Sequence, residues 1–213
     1  MRRILCFLII ICTPIICVPQ GSRLSLDVRG VYTLPKGAFH QTEISNGNAA
    51  SGFGGALGLT YQIIPEVGIG FLTGVDYFGA YDHTRIPPLN YLFIPLDLEA
   101  KISWCNGIVN PFFSFGGGTS VSLVFLNIGG YKRSDSKMLS NLFCSFGVSI
   151  PITSRISCVA GYGLHETSSK DQTFNYPAES PPEGILASPG ITLTPKFDAD
   201  FDELSLGLQV GLF

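Results

Sequence analysis

Three observations predict an all-β chain folded as an eight-stranded antiparallel up-and-down transmembrane β-barrel. Period-two alternation of apolar and small or polar residues runs from residue 22 onward, charge is scarce, and short connections alternate with long ones. Charged residues make up 14% of the 213-residue chain, against roughly 25% in a soluble globular domain. The mean hydropathy of +0.33 therefore reflects missing charge rather than an excess of Leu and Ile, and 25 glycines with 12% aromatics fill the gap. Beyond the N-terminus no apolar run reaches about 18 residues, so no transmembrane helix is available. A membrane span must then be made of strands closed on themselves, because an open sheet edge would leave backbone groups unpaired in lipid.

Residues 1–21 read as an export signal. Arg2 and Arg3 form the charged start, and an apolar stretch follows from Ile4 to Val18, broken by Thr13 and Pro14. Ser22 fits as the first mature residue, with Gly21 before the cut. Cys17 offers an alternative, a lipidation site, against which the bulky Ile16 counts. The barrel domain is then residues 22–213. Its three cysteines, Cys105, Cys144 and Cys158, are an odd number and make no complete disulfide framework. Loss of Arg2 and Arg3 takes the formal charge from −3 to −5, which argues against nucleic acid as a partner.

The strands follow in order. Residues 23–34 place Leu24, Leu26, Val28, Tyr32 and Leu34 opposite Ser25, Asp27, Arg29 and Thr33. Residues 52–63 set Phe53, Leu57, Leu59, Tyr61 and Ile63 against glycines, Ala56, Thr60 and Gln62. After the turn Ile64-Pro65-Glu66, residues 67–77 set Val67, Ile69, Phe71, Val75 and Tyr77 against Gly68, Gly70, Gly74 and Asp76. Residues 92–102 oppose Leu96, Leu98 and Ala100 to Asp97, Glu99 and Lys101. Residues 109–121 are less regular, with Phe112 and Phe113 on both faces. Residues 142–150 and 156–164 form a hairpin around Ile152-Thr153-Ser154, and residues 204–213 close the set. No segment reads convincingly as a helix. Residues 129–140 read as a polar loop, and residues 166–202 as a long one rich in Pro, Ser and acids.

Connections after strands two, four and six are short, and those after one, three, five and seven are long. Outer-membrane barrels show this asymmetry, with short periplasmic turns and long external loops. A soluble barrel of lipocalin type shares the period but needs an exterior rich in Lys, Glu and Thr. The less apolar face here is mostly Gly, Ser and Ala, which suits a crowded lumen.

Three segments carry a family resemblance: Ile94-Pro95-Leu96-Asp97-Leu98-Glu99-Ala100-Lys101, Asn110-Pro111-Phe112-Phe113-Ser114-Phe115-Gly116-Gly117-Gly118, and Phe146-Gly147-Val148-Ser149-Ile150-Pro151-Ile152-Thr153. In order and spacing the chain resembles eight-stranded outer-membrane barrels of the OmpW- and OmpA-like group. The resemblance implies residence in the bacterial outer membrane and, for OmpW-like members, passage of small apolar molecules through a narrow lumen. Phe213 stands where such barrels carry the aromatic residue read by the assembly machinery, although it is out of phase with Leu204, Leu206, Leu208, Val210 and Leu212.

Candidate functional residues are few. Asp27, Arg29, Asp97, Glu99 and Lys101 fall on the inner face at similar depth, where charges must pair or meet water. This predicts either a polar plug or a selectivity cluster, with Arg29 reaching Asp97 or Glu99 across the barrel. Tyr32, Tyr61, Tyr77, Tyr91, Trp104 and Tyr162 lie near strand ends, as membrane-interface aromatics would. His165 with Glu166 and Ser168 suggests a hydrolytic barrel, but nucleophile and base need even spacing on a strand, which only Thr167 satisfies. The acidic group Asp198, Asp200, Asp202 and Glu203 lacks the spacing of a calcium loop. No enzyme activity, cofactor or metal is expected. The sequence favours a narrow channel or binding barrel for small solutes. The alternative is a surface adhesin whose loops meet host molecules. Outer-membrane lipid and the barrel-assembly machinery are the other expected partners.

Overall fold

The computed structural model describes residues 23–41, 49–81, 89–104, 108–128, 131–168 and 199–212. The export signal, Cys105, His83 and Phe213 lie outside them. Eight strands form a closed barrel in sequence order: β1 Leu24–Pro35, β2 Ala49–Ile64, β3 Val67–Ala80, β4 Leu89–Ser103, β5 Asn110–Ile128, β6 Tyr131–Pro151, β7 Ile156–Ser168 and β8 Phe201–Gly211. Every neighbouring pair is antiparallel, and β1 closes on β8 with Leu26 opposite Val210 and Thr33 opposite Glu203.

The alternation decides which side chains meet lipid. On β4, Leu98 is 71% exposed while Asp97 beside it is 0% exposed, the reverse of a soluble protein. Leu57, Phe71, Phe115, Phe146 and Leu206 also point outward and are exposed. A sheet with apolar groups outside and charges inside is stable only where the surroundings are apolar.

Inward glycines let the small barrel close. Asp97 pairs with Gly118 on β5, and Gly118 pairs with Asn141 on β6. With no side chain between them, Asn141 Nδ2 donates to Asp97 Oδ2 at 2.7 Å across the intervening strand. A Cβ on Gly118 would collide with the Leu96 carbonyl and come within 2.8 Å of Asp97 Oδ1. Gly116 in the same way lies beneath the Phe143 ring.

One end of the barrel carries the short turns. Thr153 Oγ1 accepts from the backbone N–H of Arg155 and Ile156 in the β6–β7 turn. The Gln62 N–H donates to the Arg23 carbonyl and the Leu212 N–H to the Leu24 carbonyl, both at 2.7 Å, so the start of β1 is laced to its neighbours at this rim.

The opposite, loop end departs from expectation. Residues 131–140, expected in a polar loop, belong to β6, so β5 and β6 pair as far as Ile128 opposite Tyr131. Their pairing continues past Ser140, which is opposite Ser168, the last residue of β7. Ser120, Ser122 and Val124 alternate inward on β5 and Leu139 on β6, a weak period-two signal hidden by the polar composition. The final loop is shorter than expected at both ends, since β7 runs to Ser168 and β8 starts at Phe201. A single helical turn, α1 Gly37–His40, also appears in the first connection, and Gly37 adopts a φ of +53° there. One turn is too short for helical periodicity to reveal it.

The β6–β7 register places Cys144 opposite Leu164 and Cys158 opposite Ile150. The two free thiols are thus well separated along the hairpin, and both are half-buried.

Candidate functional site: the lumen

The lumen is filled in layers. Nearest the turn end, β1 contributes Asp27 and Arg29 and β4 contributes Glu99 and Lys101, all buried. Arg29 bonds Asp27 on its own strand at 3.3 Å, and Lys101 Nζ approaches the same carboxylate oxygen at 3.7 Å. Lys101 also lies 4.5 Å above the ring centre of Phe112, which strand parity turns inward with Ser114 while Phe113 lies beside the outward Phe115. The structure thus brings Asp27, Arg29 and Lys101 into one ion group. The expected partner of Arg29 is corrected: Asp97 is held by Asn141. Asp97 sits further from the turn end than Lys101, and Asp27, only two residues from Arg29, is its bonded partner. Glu99 is close enough to act on the Arg29 charge.

The middle layer was not read from the sequence as a unit. His165 Nε2 lies 3.3 Å from Glu203, and its ring stacks on Phe201 at 4.6 Å and on Phe143 at 5.6 Å. Asp76 lies within the field of both Glu203 and His165. The hydrolytic alternative finds no support in the geometry: Thr167 shares the inner face with His165, but its hydroxyl donates to the Ala199 carbonyl and accepts from the Ala199 N–H, both at 3.0 Å. His165 is spent on Glu203. Among the described residues no group of three or more His, Cys, Asp or Glu is arranged to hold a metal ion.

The loop end is aromatic. Phe78, Tyr91, Phe93 and Phe201 converge there with Val124 and Leu139. Tyr91, expected in the membrane-interface belt, is instead fully buried in this cluster. It pairs with Phe78 and shares the inward phase of Phe93, so strand parity overrides its place near a strand end. Tyr32, Tyr61 and Tyr77 are exposed on the outer face, and Trp104 and Tyr162 are half-exposed.

Phe39, carried by α1, drops into the centre of the cluster. Its ring makes edge contacts with Phe78 and Tyr91 at 5.1 Å and with Phe93 at 5.7 Å. The segment is fastened beside the mouth by Lys36. The Lys36 N–H donates to the Asp200 carbonyl at 2.7 Å, and its ammonium pairs with Asp202. That hydrogen bond to Asp202 raises the Lys36 pKa above the ordinary lysine value. His40 Nδ1 lies 3.1 Å from the Ala49 carbonyl, and its ring meets Tyr81 edge-on.

No family model matches the sequence, and no curated protein matches it. Solved structures do. The chain is similar to Neisserial surface protein A, with a TM-score of 0.58 at 16% identity over 90% of this chain and 98% of that one. It is similar to outer membrane protein OprG from Pseudomonas aeruginosa, with a TM-score of 0.53 at 9% identity over 90% and 97%. At such identities the likeness is one of fold. The fold is that of the eight-stranded bacterial outer-membrane β-barrels, and the outer surface of this one is apolar where such barrels meet lipid.

Proposed function

We propose that the barrel is a closed anchor in the outer membrane that presents its loop end, including the prolonged β5–β6 hairpin, at the cell surface. The observation that carries this reading is the filling of the lumen. Asp27 is 1% and Lys101 2% exposed in one layer, and Phe39 is 0% exposed in another. An eight-stranded barrel has an interior just wide enough for side chains to fill, and here ion pairs fill it below and rings above. Function then lies in what the loop end binds, and host surface molecules are the partner class such a display suits. The test is a planar-bilayer recording of the refolded protein beside cell-surface binding by bacteria that express it. Absence of discrete conductance with retained surface binding is expected. Stable single-channel steps would overturn the closed-anchor reading.

A narrow OmpW-like channel for small apolar solutes is the second reading, and one observation favours it. The walls of β2 and β3 are lined inside by Gly52, Gly54, Gly58, Gly68, Gly70 and Gly74, so that side of the lumen is occupied by groups reaching from other strands or from α1. Movement of those groups would open space without moving the wall. Conductance that appears only after solute is added would favour this reading.

A further inference from the structure

We propose that the loop end of the lumen is a binding site for a small organic cation, an ammonium group on an apolar or aromatic body, and that Phe39 is the chain's own occupant of its apolar half. The walls of that half, Phe78, Tyr91, Phe93 and Phe201, all stand on barrel strands. Phe39 does not. It enters from a one-turn helix in a connection, past Gly37 at a positive φ, and lies against three wall rings edge-on. A ring delivered in this way occupies a pocket that the strands build without it.

Directly beneath the rings the chemistry changes sign. Asp76 is one inward step nearer the turn end than Phe78 on β3 and is opposite Phe93 on β4, so it stands at the lower edge of the aromatic layer. Glu203 and Asp97 share the middle layer with it. Asp76 is 5% exposed, and its Oδ1, like that of Asp97, makes no hydrogen bond among the described residues. Buried carboxylates call for a partner of opposite charge. The inward cations Arg29 and Lys101 approach Asp27 nearer the turn end, Arg29 also acts on Glu203, and His165 is already held by Glu203. Glu203 thus has two cations and Asp97 has Asn141, while Asp76 forms no ion pair among the described residues.

Aromatic faces attract cations as well as apolar groups. A ring or short alkyl chain could take the place of the Phe39 ring while its ammonium reaches Asp76. An anion would be repelled by Asp76, and a neutral analogue would gain only the upper half. Because the Asp27–Arg29–Lys101 layer closes the lumen below, the ligand binds from the loop end and does not cross. The site goes beyond the anchor reading and does not depend on it, since one is tested by binding and the other by conductance.

The experiment is calorimetric titration of the detergent-refolded mature chain with 2-phenylethylammonium chloride, with folding checked by heat-modifiable migration. Phe39→Ala should bind at least about tenfold more tightly than the unaltered chain, because the resident ring no longer competes and the receptive state is no longer the minor one. Adding Asp76→Asn to Phe39→Ala should weaken binding about tenfold. On Phe39→Ala, 2-phenylethanol and 3-phenylpropionate should each bind at least about tenfold more weakly than the ammonium, which isolates the charge contribution. No binding by folded Phe39→Ala, or equal binding of the alcohol, would overturn the proposal. Should Phe39→Ala not fold, Lys36→Ala loosens the strap while keeping the ring. Its affinity should rise above that of the unaltered chain, and an unchanged affinity would overturn the proposal.

Discussion

Removal of the Asp27 carboxylate is the sharpest perturbation the lumen offers. Asp27 is shared by two cations, Arg29 at 3.3 Å and Lys101 at 3.7 Å, and the three side chains are 1%, 6% and 3% exposed. Breaking a buried ion pair by deleting one partner costs about 3–5 kcal/mol, because the survivor keeps its desolvation penalty without compensation. Asp27→Ala strands two cations at once, so its cost should lie at the upper end, about 4–5 kcal/mol. Arg29→Ala leaves Asp27 with Lys101 and should cost less. Lys101→Ala leaves Asp27 with Arg29 and should also cost less. The double variant Asp27→Ala/Lys101→Ala should regain part of the loss, since one stranded charge is gone. Urea unfolding in lipid vesicles, followed by intrinsic fluorescence and by heat-modifiable migration, gives the four free energies. An Asp27→Ala cost below about 1 kcal/mol, the size of a solvated surface pair, would refute the reasoning. So would a cost equal to that of Arg29→Ala, because Asp27 would then not be the shared partner.

Further predictions concern the wall, the outer surface and the strap. Gly118→Ala should destabilise the barrel by about 1–3 kcal/mol, as overpacking does, because its Cβ meets the Leu96 carbonyl and the Asp97 carboxylate. Gly30→Ala, whose nearest neighbour is the Leu206 carbonyl at 3.9 Å, should be near neutral in the same unfolding assay. Spin labels at Leu98 and Leu206, both exposed on the outer face, should collide freely with oxygen dissolved in lipid. A label at Ser114, buried inside, should not, and the opposite pattern would reverse the inside–outside assignment. The Lys36–Asp202 contact holds the Lys36 pKa above its ordinary value. Its contribution is therefore complete below the ordinary lysine pKa and lost as pH rises through the raised one. Proteolysis of residues 36–41 should accelerate as pH rises through that alkaline limit, and a rate unchanged across it would show that Lys36 does not fasten the strap.

The sequence by itself determined the architecture. Alternation over β1–β4 and β6–β8 assigned each residue to a face, because the side-chain period of a strand is two and a slip of one residue would expose Asp27 or Asp97 to lipid. The charge shortage and the glycine-rich inner phase then chose lipid outside and a crowded lumen within. The sequence could also place Asp27, Arg29, Glu99 and Lys101 on the inner face at related depth. Which of them touch was decided only by closure, since the distance between β1 and β4 depends on barrel diameter and on the reach of each side chain. Asn141 became the partner of Asp97 because Gly118 leaves room between two strands, a relation among three strands that no local window contains. Tyr91 went inward because parity outweighs proximity to a strand end. Phe39 had no legible role, for a single turn in a connection carries no periodic signal. Its place among Phe78, Tyr91 and Phe93 exists only once the barrel has closed around the mouth it fills.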